Sequence, residues 1–243
     1  MNNSIQIRVP LRTRCISSRK RYLLATFTTH QLRFGYSNLE DANRVIGFND
    51  KEKLTLRLLN LIKPGDVVLD IGASIGIYSI PAALKVKETG LVIAVESDPN
   101  KVRRLQQNCE LNNVQRHVKV ENIIAGTMHS VSNAESPLDD LFLTAKYPMP
   151  TIIKIDVDGS ERSVLLGLRE TLSLSDNLRL IQVEFDSSNK EIFNLMSSYG
   201  FQLIAFETHQ SRDSEMFSGS PIIGNGWFAR SARGSAQSSN VAH

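Results

Sequence analysis

The sequence predicts a three-layer α/β sandwich around a seven-stranded, mostly parallel sheet whose last strand runs antiparallel. Three observations predict it. Short apolar, β-branched runs alternate with helical stretches through most of the 243 residues, an order that implies right-handed crossovers and helices on both faces of a parallel sheet. Val67 to Ser79, VVLDIGASIGIYS, runs a buried-strand pattern into an acid and then two glycines four apart. Acids also stand where successive strands end, at Asp70, Glu96 and Asp156, and open α/β sheets bind ligands beyond those carboxyl ends.

The first segment is set apart by charge. From Met1 to Gly35 there are seven Lys or Arg residues, Arg8, Arg12, Arg14, Arg19, Lys20, Arg21 and Arg33, and no acid. The whole chain carries a formal net charge of +3, so the remainder is net acidic. Residues 1–49 read as a basic N-terminal arm or cap. Diffuse positive charge attracts phosphates, an anionic glycan or an acidic membrane surface without sequence specificity. The Arg- and Ser-rich, acid-free composition also matches an organelle transit peptide, and a solvated tail is the plain alternative.

Residues 50–230 read as one folded domain. Asp50 to Ile62 sets Leu54, Leu58, Leu59 and Ile62 at helical spacing, with Asp50 as N-cap and Pro64-Gly65 as the stop. A strand at 66–71, a helix at 76–86, a strand at 91–95, a helix at 99–112 and a strand at 117–123 follow. Gly126 to Leu143 is polar and ends in Leu138-Asp139-Asp140-Leu141, a surface loop and a short helix. Thr151 to Ile155 is a buried strand ending at Asp156, backed by a helix from Ser160 to Leu172. Leu178 to Phe185, Lys190 to Ser198 and Phe201 to Phe206 continue as strand, helix and strand, and Gly226 to Arg230 returns antiparallel at the sheet edge. Residues 231–243, rich in Ser, Ala, Gly and Asn, read as a disordered tail.

With 41% hydrophobic and 22% charged residues, the chain buries a full core. Its apolar runs fall far short of the roughly 20 residues of a transmembrane helix, so no spanning segment is expected. Two cysteines, Cys15 and Cys109, make neither a disulfide framework nor a metal quartet, which points to a reducing compartment, the cytoplasm by default.

Gly72 and Gly76 turn the chain after the first core strand, and their bare Cα atoms let a ligand approach the backbone at a helix N-terminus. A dinucleotide loop would read G-x-G-x-x-G and an NTPase loop G-x-x-x-x-G-K-[ST]. This one reads D-x-G-x-x-x-G, and neither motif occurs in the chain. The pattern suits S-adenosylmethionine (SAM). Asp70 is placed to accept a hydrogen bond from its cationic amino group, and Glu96 both ribose hydroxyls. Asn122 and Ile123 offer an amide and an apolar face to adenine. The cofactor-binding set is Asp70, Gly72, Ala73, Ser74, Gly76, Tyr78, Glu96, Ser97, Asn122, Ile123 and Asp156. The plain alternative is a structural turn whose acids only cap helices.

A second constellation, Lys154 to Glu161 (KIDVDGSE), packs Asp156, Asp158 and Glu161 around a glycine just past a strand end. Asp156 should face the crevice shared by Asp70 and Glu96. Asp158 and Glu161 read equally well as caps of the following helix. On VVLDIGASIGIYS (67–79), AVESDPNKVRRLQQN (94–108), LDDLF (138–142), KIDVDGSE (154–161) and IQVEFD (181–186), the chain resembles the FkbM family of SAM-dependent methyltransferases. It departs from that family's usual Asn at Ser74 and usual Glu at Asp158.

The resemblance implies a class I, Rossmann-like methyltransferase fold, SAM as cofactor, and O-methylation of a hydroxyl on a sugar, glycan or related small natural product. Self-association of the chain is compatible with it. Transfer needs an acceptor oxygen in line with the S–CH3 bond and a group to take its proton. Asp156 and His209, the latter beside Glu207 after the sixth strand, are the catalytic candidates. Asp156, Glu184 and Asp186 are the residues from which a Mg2+ or Ca2+ site would be built, and no metal is firmly assigned. Two rival readings stand beside this. The basic arm suits a nucleic-acid methyltransferase, although the Asn-Pro-Pro-aromatic motif that holds a flipped base is absent after Pro150, and no stable nucleic-acid partner is expected. A non-catalytic SAM-binding scaffold is the other.

Overall fold

The structure, a computed structural model, describes residues 7–8, 22–27, 30–47, 53–127, 135–186, 189–208 and 223–230. A small antiparallel sheet of β1 (Ile7–Arg8), β2 (Tyr22–Phe27) and β3 (His30–Gly35) leads into α1 (Leu39–Gly47) and α2 (Lys53–Leu61). The main sheet begins with β4 (Val67–Ile71), α3 (Ser79–Val86), β5 (Leu91–Glu96), α4 (Pro99–Leu111) and β6 (Val118–Asn122). A short parallel pair, β7 (Ile124–Ala125) and β8 (Glu135–Ser136), and α5 (Asp140–Leu143) come next. The chain then runs through β9 (Ile152–Ile155), α6 (Glu161–Leu166), α7 (Arg169–Leu174), β10 (Leu180–Asp186), α8 (Lys190–Ser198), β11 (Phe201–Thr208) and β12 (Ile223–Arg230).

The seven main strands stand in the order β11-β12-β10-β9-β4-β5-β6. β10, β9, β4, β5 and β6 pair in parallel, and β12 is antiparallel to both its neighbours. The mostly parallel sheet with an antiparallel last strand is therefore present. That strand is not at the edge, however, but between β10 and β11. Trp227 and Phe228 explain this: successive strand residues face opposite sides, and both are buried, one in each core cluster. Gly226 makes the fit, since a Cβ there would meet the Phe185 ring at 2.3 Å.

Alternation divides the core into two layers. Val68, Val92 and Ala94 join the cluster beneath α3 and α4, whereas Leu69, Ile71, Ile93 and Val95 join the one beneath α6, α7 and α8. Each fully buried Leu or Ile contributes about 1.5–3 kcal/mol. α4 starts where Asp98 accepts from Asn100 N at 2.8 Å with Pro99 in its first turn. Cys109 on α4 is buried, and burial pushes its thiol up to about 12, which fits packing and not chemistry.

The basic N-terminal segment is not simply an appendage. Leu23, Ala25, Phe27, Leu32 and Phe34 of its hairpin are buried in the same cluster as Leu58, Ile75 and Leu105. Asn108 of α4 and Asn112, which caps the helix C-terminus one turn on, fasten β3 through its backbone. Asn112 Oδ1 accepts from Arg33 N at 2.8 Å and its Nδ2 donates to Arg33 O at 2.7 Å. Asn108 Oδ1 accepts from Gly35 N at 2.7 Å, and its Nδ2 donates to Gly35 O at 3.2 Å and to Ile75 O at 2.9 Å. The side chains stand in for a neighbouring strand and satisfy backbone groups that would otherwise be stranded. Residues 231–243 lie outside the described residues.

The single helix expected over 160–172 is two. α6 stops at Gly167, where a Cβ would lie 2.1 Å from Gly126 O. α7 restarts with Asp139 from the preceding loop as its cap, its carboxylate accepting from Glu170 N, Thr171 N and Thr171 Oγ at 3.0, 2.8 and 2.6 Å. Among the described residues no helix is long and apolar enough to cross a membrane.

Candidate active site

β4 and β9 are neighbours whose following connections leave in opposite directions across the sheet, so a crevice opens at their carboxyl ends. A cleft lies there, lined from β4, β5 and their loops by Gly72, Ser74, Glu96 and Ser97, and from the β9 loop by Asp156, Val157, Asp158 and Ser160. Ile71, Val95 and Ile123 to Ala125 supply apolar wall, and Lys101 and Arg44 supply cations.

The glycines serve the protein's own packing. Gly72 has φ +79°, and a Cβ there would sit 1.8 Å from the Asp156 carbonyl oxygen. The two loops therefore cross in contact, and Gly72 lets them. At Gly76, φ +90°, a Cβ would strike Leu105 of α4 at 2.3 Å. The expectation that both glycines are bare for a ligand holds only in that Gly72 lines the cleft; Gly76 does not. α3 also starts at Ser79 and not at residue 76, after a turn through Ser74, itself at φ +51°.

Glu96 is nearly buried at the cleft wall. Its Oε2 accepts from Ser74 N at 2.8 Å and its Oε1 from Asp98 N at 2.9 Å. Oε1 also accepts from Ser97 Oγ at 3.4 Å, a long contact that a ligand hydroxyl can replace, and Oε2 keeps a lone pair, so the carboxylate is oriented by the protein and still able to hold a vicinal diol. Asn122, expected to meet adenine, is used otherwise: Nδ2 donates to Glu96 O and Ser97 O, both at 2.9 Å, which ties β6 to the β5 loop. Ile123 lines the cleft; Ala73 and Tyr78 are buried and do not.

Asp70 has no exposed surface. Its Oδ2 accepts from Ser79 Oγ at 2.5 Å, and Lys154 Nζ stands 3.4 Å from its Oδ1. It therefore lies below the cleft floor, and a ligand there would meet it only through the residues it orients. Burial pushes it above the ordinary carboxylate range, with the Asp156 charge adding to this and Lys154 and Ser79 pulling back. The same Lys154 Nζ lies 3.2 Å from Asp156 Oδ2 and 5.8 Å from the centre of the Tyr78 ring. For Asp156, burial works upward too, but the Lys154 cation, hydrogen bonds with Glu184 and Lys154, and the Arg44 charge outweigh it and hold the carboxyl at about 2.

Glu161 is a cap, its Oε1 accepting from Gly159 N at 2.9 Å, whereas Asp158, at φ +47°, faces the cleft. His209 lies outside the described residues, and its neighbour Glu207 is tied to Arg57 of α2. Among the described residues no group of three or more His, Cys, Asp or Glu is placed to hold a metal. Asp156 is instead matched by Lys154, and the side chain of Asp186 lies outside the description. Lys154, Arg44 and Lys101 were not among the expected site residues. Only Lys154 left a signal, a lysine inside an otherwise apolar strand.

The arrangement fits a nucleoside carrying a diol and an apolar base: an oriented acid, a backbone loop and an apolar wall. The family model of the TRM5/TYW2 methyltransferase domain matches residues 29–147, which carry this seat. The chain is a SAM-dependent methyltransferase. The resemblance to FkbM is corrected by that match, because the family it names is a different one. The glycine loop and acidic strand ends that raised it report the cofactor, which many families share, and the octet at 154–161 lies beyond the matched residues. The methyltransferase is 24% identical over 195 residues to the hexuronic acid methyltransferase AglP of Haloferax volcanii, covering 72% of this chain and 80% of that one. It is 40% identical over 67 residues to human tRNA (guanine(37)-N(1))-methyltransferase, covering 28% of this chain and 13% of that enzyme. Its fold is similar to that of M. jannaschii TYW2 in complex with AdoMet, with a TM-score of 0.50 at 14% identity over 89% of this chain and 90% of that one.

Proposed function

We propose that the chain is an O-methyltransferase for a hydroxyl of a sugar, glycan or related small natural product. The extent of the likeness to the hexuronic acid enzyme carries this reading. A match over 72% of the chain crosses its middle wherever it starts, and so includes the Asp156 to Ser160 loop on the acceptor side. The likeness to the tRNA enzyme covers 28% of the chain, and the TRM5/TYW2 match ends at residue 147, before that loop. The loop itself reads Asp156-Val157-Asp158-Gly159 in place of the Asn-Pro-Pro-aromatic motif that holds a flipped base.

When bound, SAM supplies a methyl group activated on a sulfonium. Glu96 would hold its ribose, with Gly72 and Ser74 beneath and Ile71, Val95 and Ile123 against the base. The remaining work is to align the acceptor hydroxyl and receive its proton. Asp156, held ionised at neutral pH by Lys154, is a weak base toward a resting alcohol but a good hydrogen-bond acceptor. Asp156 would accept the proton that the acceptor hydroxyl gives up as its oxygen is methylated. Turnover assays with sugar acceptors and Asp156→Asn test this: kcat falls by about 100-fold while SAM affinity stays within a few-fold. Tight SAM binding without methylation of any sugar would sink the reading and leave the scaffold alternative.

The TRM5/TYW2 match and the basic N-terminal segment favour a second reading, methylation of RNA. Methyl incorporation into tRNA, with affinity falling steeply as salt is raised, would select it.

A further inference from the structure

We infer that the acceptor carries a carboxylate beside the hydroxyl that is methylated, as an acidic sugar does, and that Arg44 is its anchor; this rests on the sugar O-methyltransferase reading. Arg44 does not belong to the elements that hold the cofactor. It sits on α1 of the N-terminal cap and still lines the cleft with Asp156, Asp158 and Ser160, close enough for its charge to act on Asp156.

The cap holds it there firmly. Asn108 and Asn112 fasten β3 to α4, and Arg104 donates to Ser37 Oγ from Nε at 3.2 Å and Nη2 at 3.1 Å. The start of α1 is closed by Asp41, which accepts from Ser37 N at 2.8 Å, and by Asn38 Oδ1, which accepts from Asp41 N at 2.8 Å. These bonds fix the helix that carries Arg44; its guanidinium, whose Nε and Nη2 both donate to Glu40 Oε1 at 3.3 Å, has the planar fork that matches a carboxylate through two parallel hydrogen bonds.

Charge balance gives the anion its place. Asp156 and Asp158 would repel an anionic acceptor unless a cation met it. Lys154 is already engaged between Asp70 and Asp156. Lys101 extends from the first turn of α4, beside Ser97 and the ribose acid Glu96. Arg44 is thus the cation on the acceptor side among the described residues. Its partner Glu40, one turn back at 3.3 Å, is well exposed, and such surface pairs are readily shared with or exchanged for a better-matched anion.

The test compares two acceptors differing only at C6, a glucuronide and the matching glucoside, with wild type, Arg44→Gln and Arg44→Lys, and measures SAM affinity by calorimetry for each. Wild type should favour the glucuronide in kcat/KM by about tenfold or more. Arg44→Gln should lose about 10- to 100-fold more on the glucuronide than on the glucoside, mainly through KM, and Arg44→Lys should recover part of that difference. Equal use of both sugars by wild type, or equal losses on both in Arg44→Gln, would overturn the inference while leaving sugar methylation standing. Weakened SAM binding in Arg44→Gln, in place of the acceptor effect, would assign the arginine to the cofactor and also overturn it. If neither sugar accepts a methyl group although SAM binds, the sugar reading fails first and this inference with it.

Discussion

Replacing Lys154 with methionine keeps a long unbranched side chain and deletes the cation that stands 3.4 Å from Asp70 Oδ1 and 3.2 Å from Asp156 Oδ2. At an effective dielectric of about 20, a pair at this separation attracts by about 5 kcal/mol before desolvation is subtracted. The variant recovers the lysine's own desolvation, and Asp156, with 37% of its side chain exposed, can turn to water. Asp70 has no such route. The expected net loss is about 3 kcal/mol, the lower end for a buried pair broken from one side. Its pH dependence has a definite sign. Asp70 already stands above the ordinary carboxylate range through burial, and without Lys154 it rises further. A carboxyl raised in the folded state supports folding at low pH, and that support disappears as pH climbs through the folded value. Lys154→Met should therefore lose more stability at about pH 8 than at about pH 5 in urea denaturation. Asp70→Asn added to Lys154→Met leaves no charge to strand and should regain at least half of the loss. An equal loss at both pH values, or a double variant no more stable than the single, would refute Lys154 as the counter-ion of Asp70.

Gly72→Ala brings a Cβ to 1.8 Å from the Asp156 carbonyl at φ +79°; more than about 3 kcal/mol should be lost, and a melting shift of only a degree or two would contradict the crossing of the loops. Glu96→Gln keeps an acceptor for Ser74 N but turns its amide on Asp98 N and loses the ionised partner proposed for the diol, so SAM affinity should fall about 10- to 100-fold and stability by about 1–2 kcal/mol; unchanged calorimetric binding would remove Glu96 from the seat. Asn108→Ala strands Gly35 N, Gly35 O and Ile75 O, with an expected loss of about 2–4 kcal/mol and faster hydrogen exchange in β3; protection of β3 as in wild type would show that apolar packing alone holds the cap. Asp156, depressed to about 2, contributes stability above the ordinary carboxylate range that is lost as pH falls through about 2. After discounting for its exposed third, this is about 1 kcal/mol, and Asp156→Asn should flatten that part of an acid titration.

Strands buried on both faces were legible because they leave continuous β-branched runs between Gly, Pro and polar turns, as at Val67–Ile71 and Ile152–Ile155. The break at Gly167 was not, since its cause is the backbone of Gly126 pressed against it and a cap, Asp139, from a segment 30 residues earlier. The N-terminal hairpin was hidden for a different reason. Its seven cations dominate composition, while the apolar residues that bury it alternate over short stretches such as Leu32 and Phe34. β12 read as an edge because one strand's sequence does not say how many neighbours it has; only its two fully buried aromatics, on opposite faces, imply two.

The site was legible where a ligand must meet backbone and strand ends, and silent where the protein must meet itself. That Glu96 and Asp156 line one cleft could be read from strand ends, because sheet topology alone puts them in one crevice. Asp70 satisfied the same rule and lies beneath the floor, because position along a strand fixes height and not which face the side chain takes. Arg44 reaches the cleft through a chain of dependencies, α4 to β3 to α1, in which asparagines four apart at the end of a helix carry the decisive bonds. On sequence alone such asparagines read as a solvated helix face. Because the cap that carries Arg44 shares its core with α3 and α4, the proposed acceptor wall and the cleft floor belong to one packed unit. Loosening β3 from α4 should therefore disturb acceptor binding before it disturbs the strands that carry Glu96.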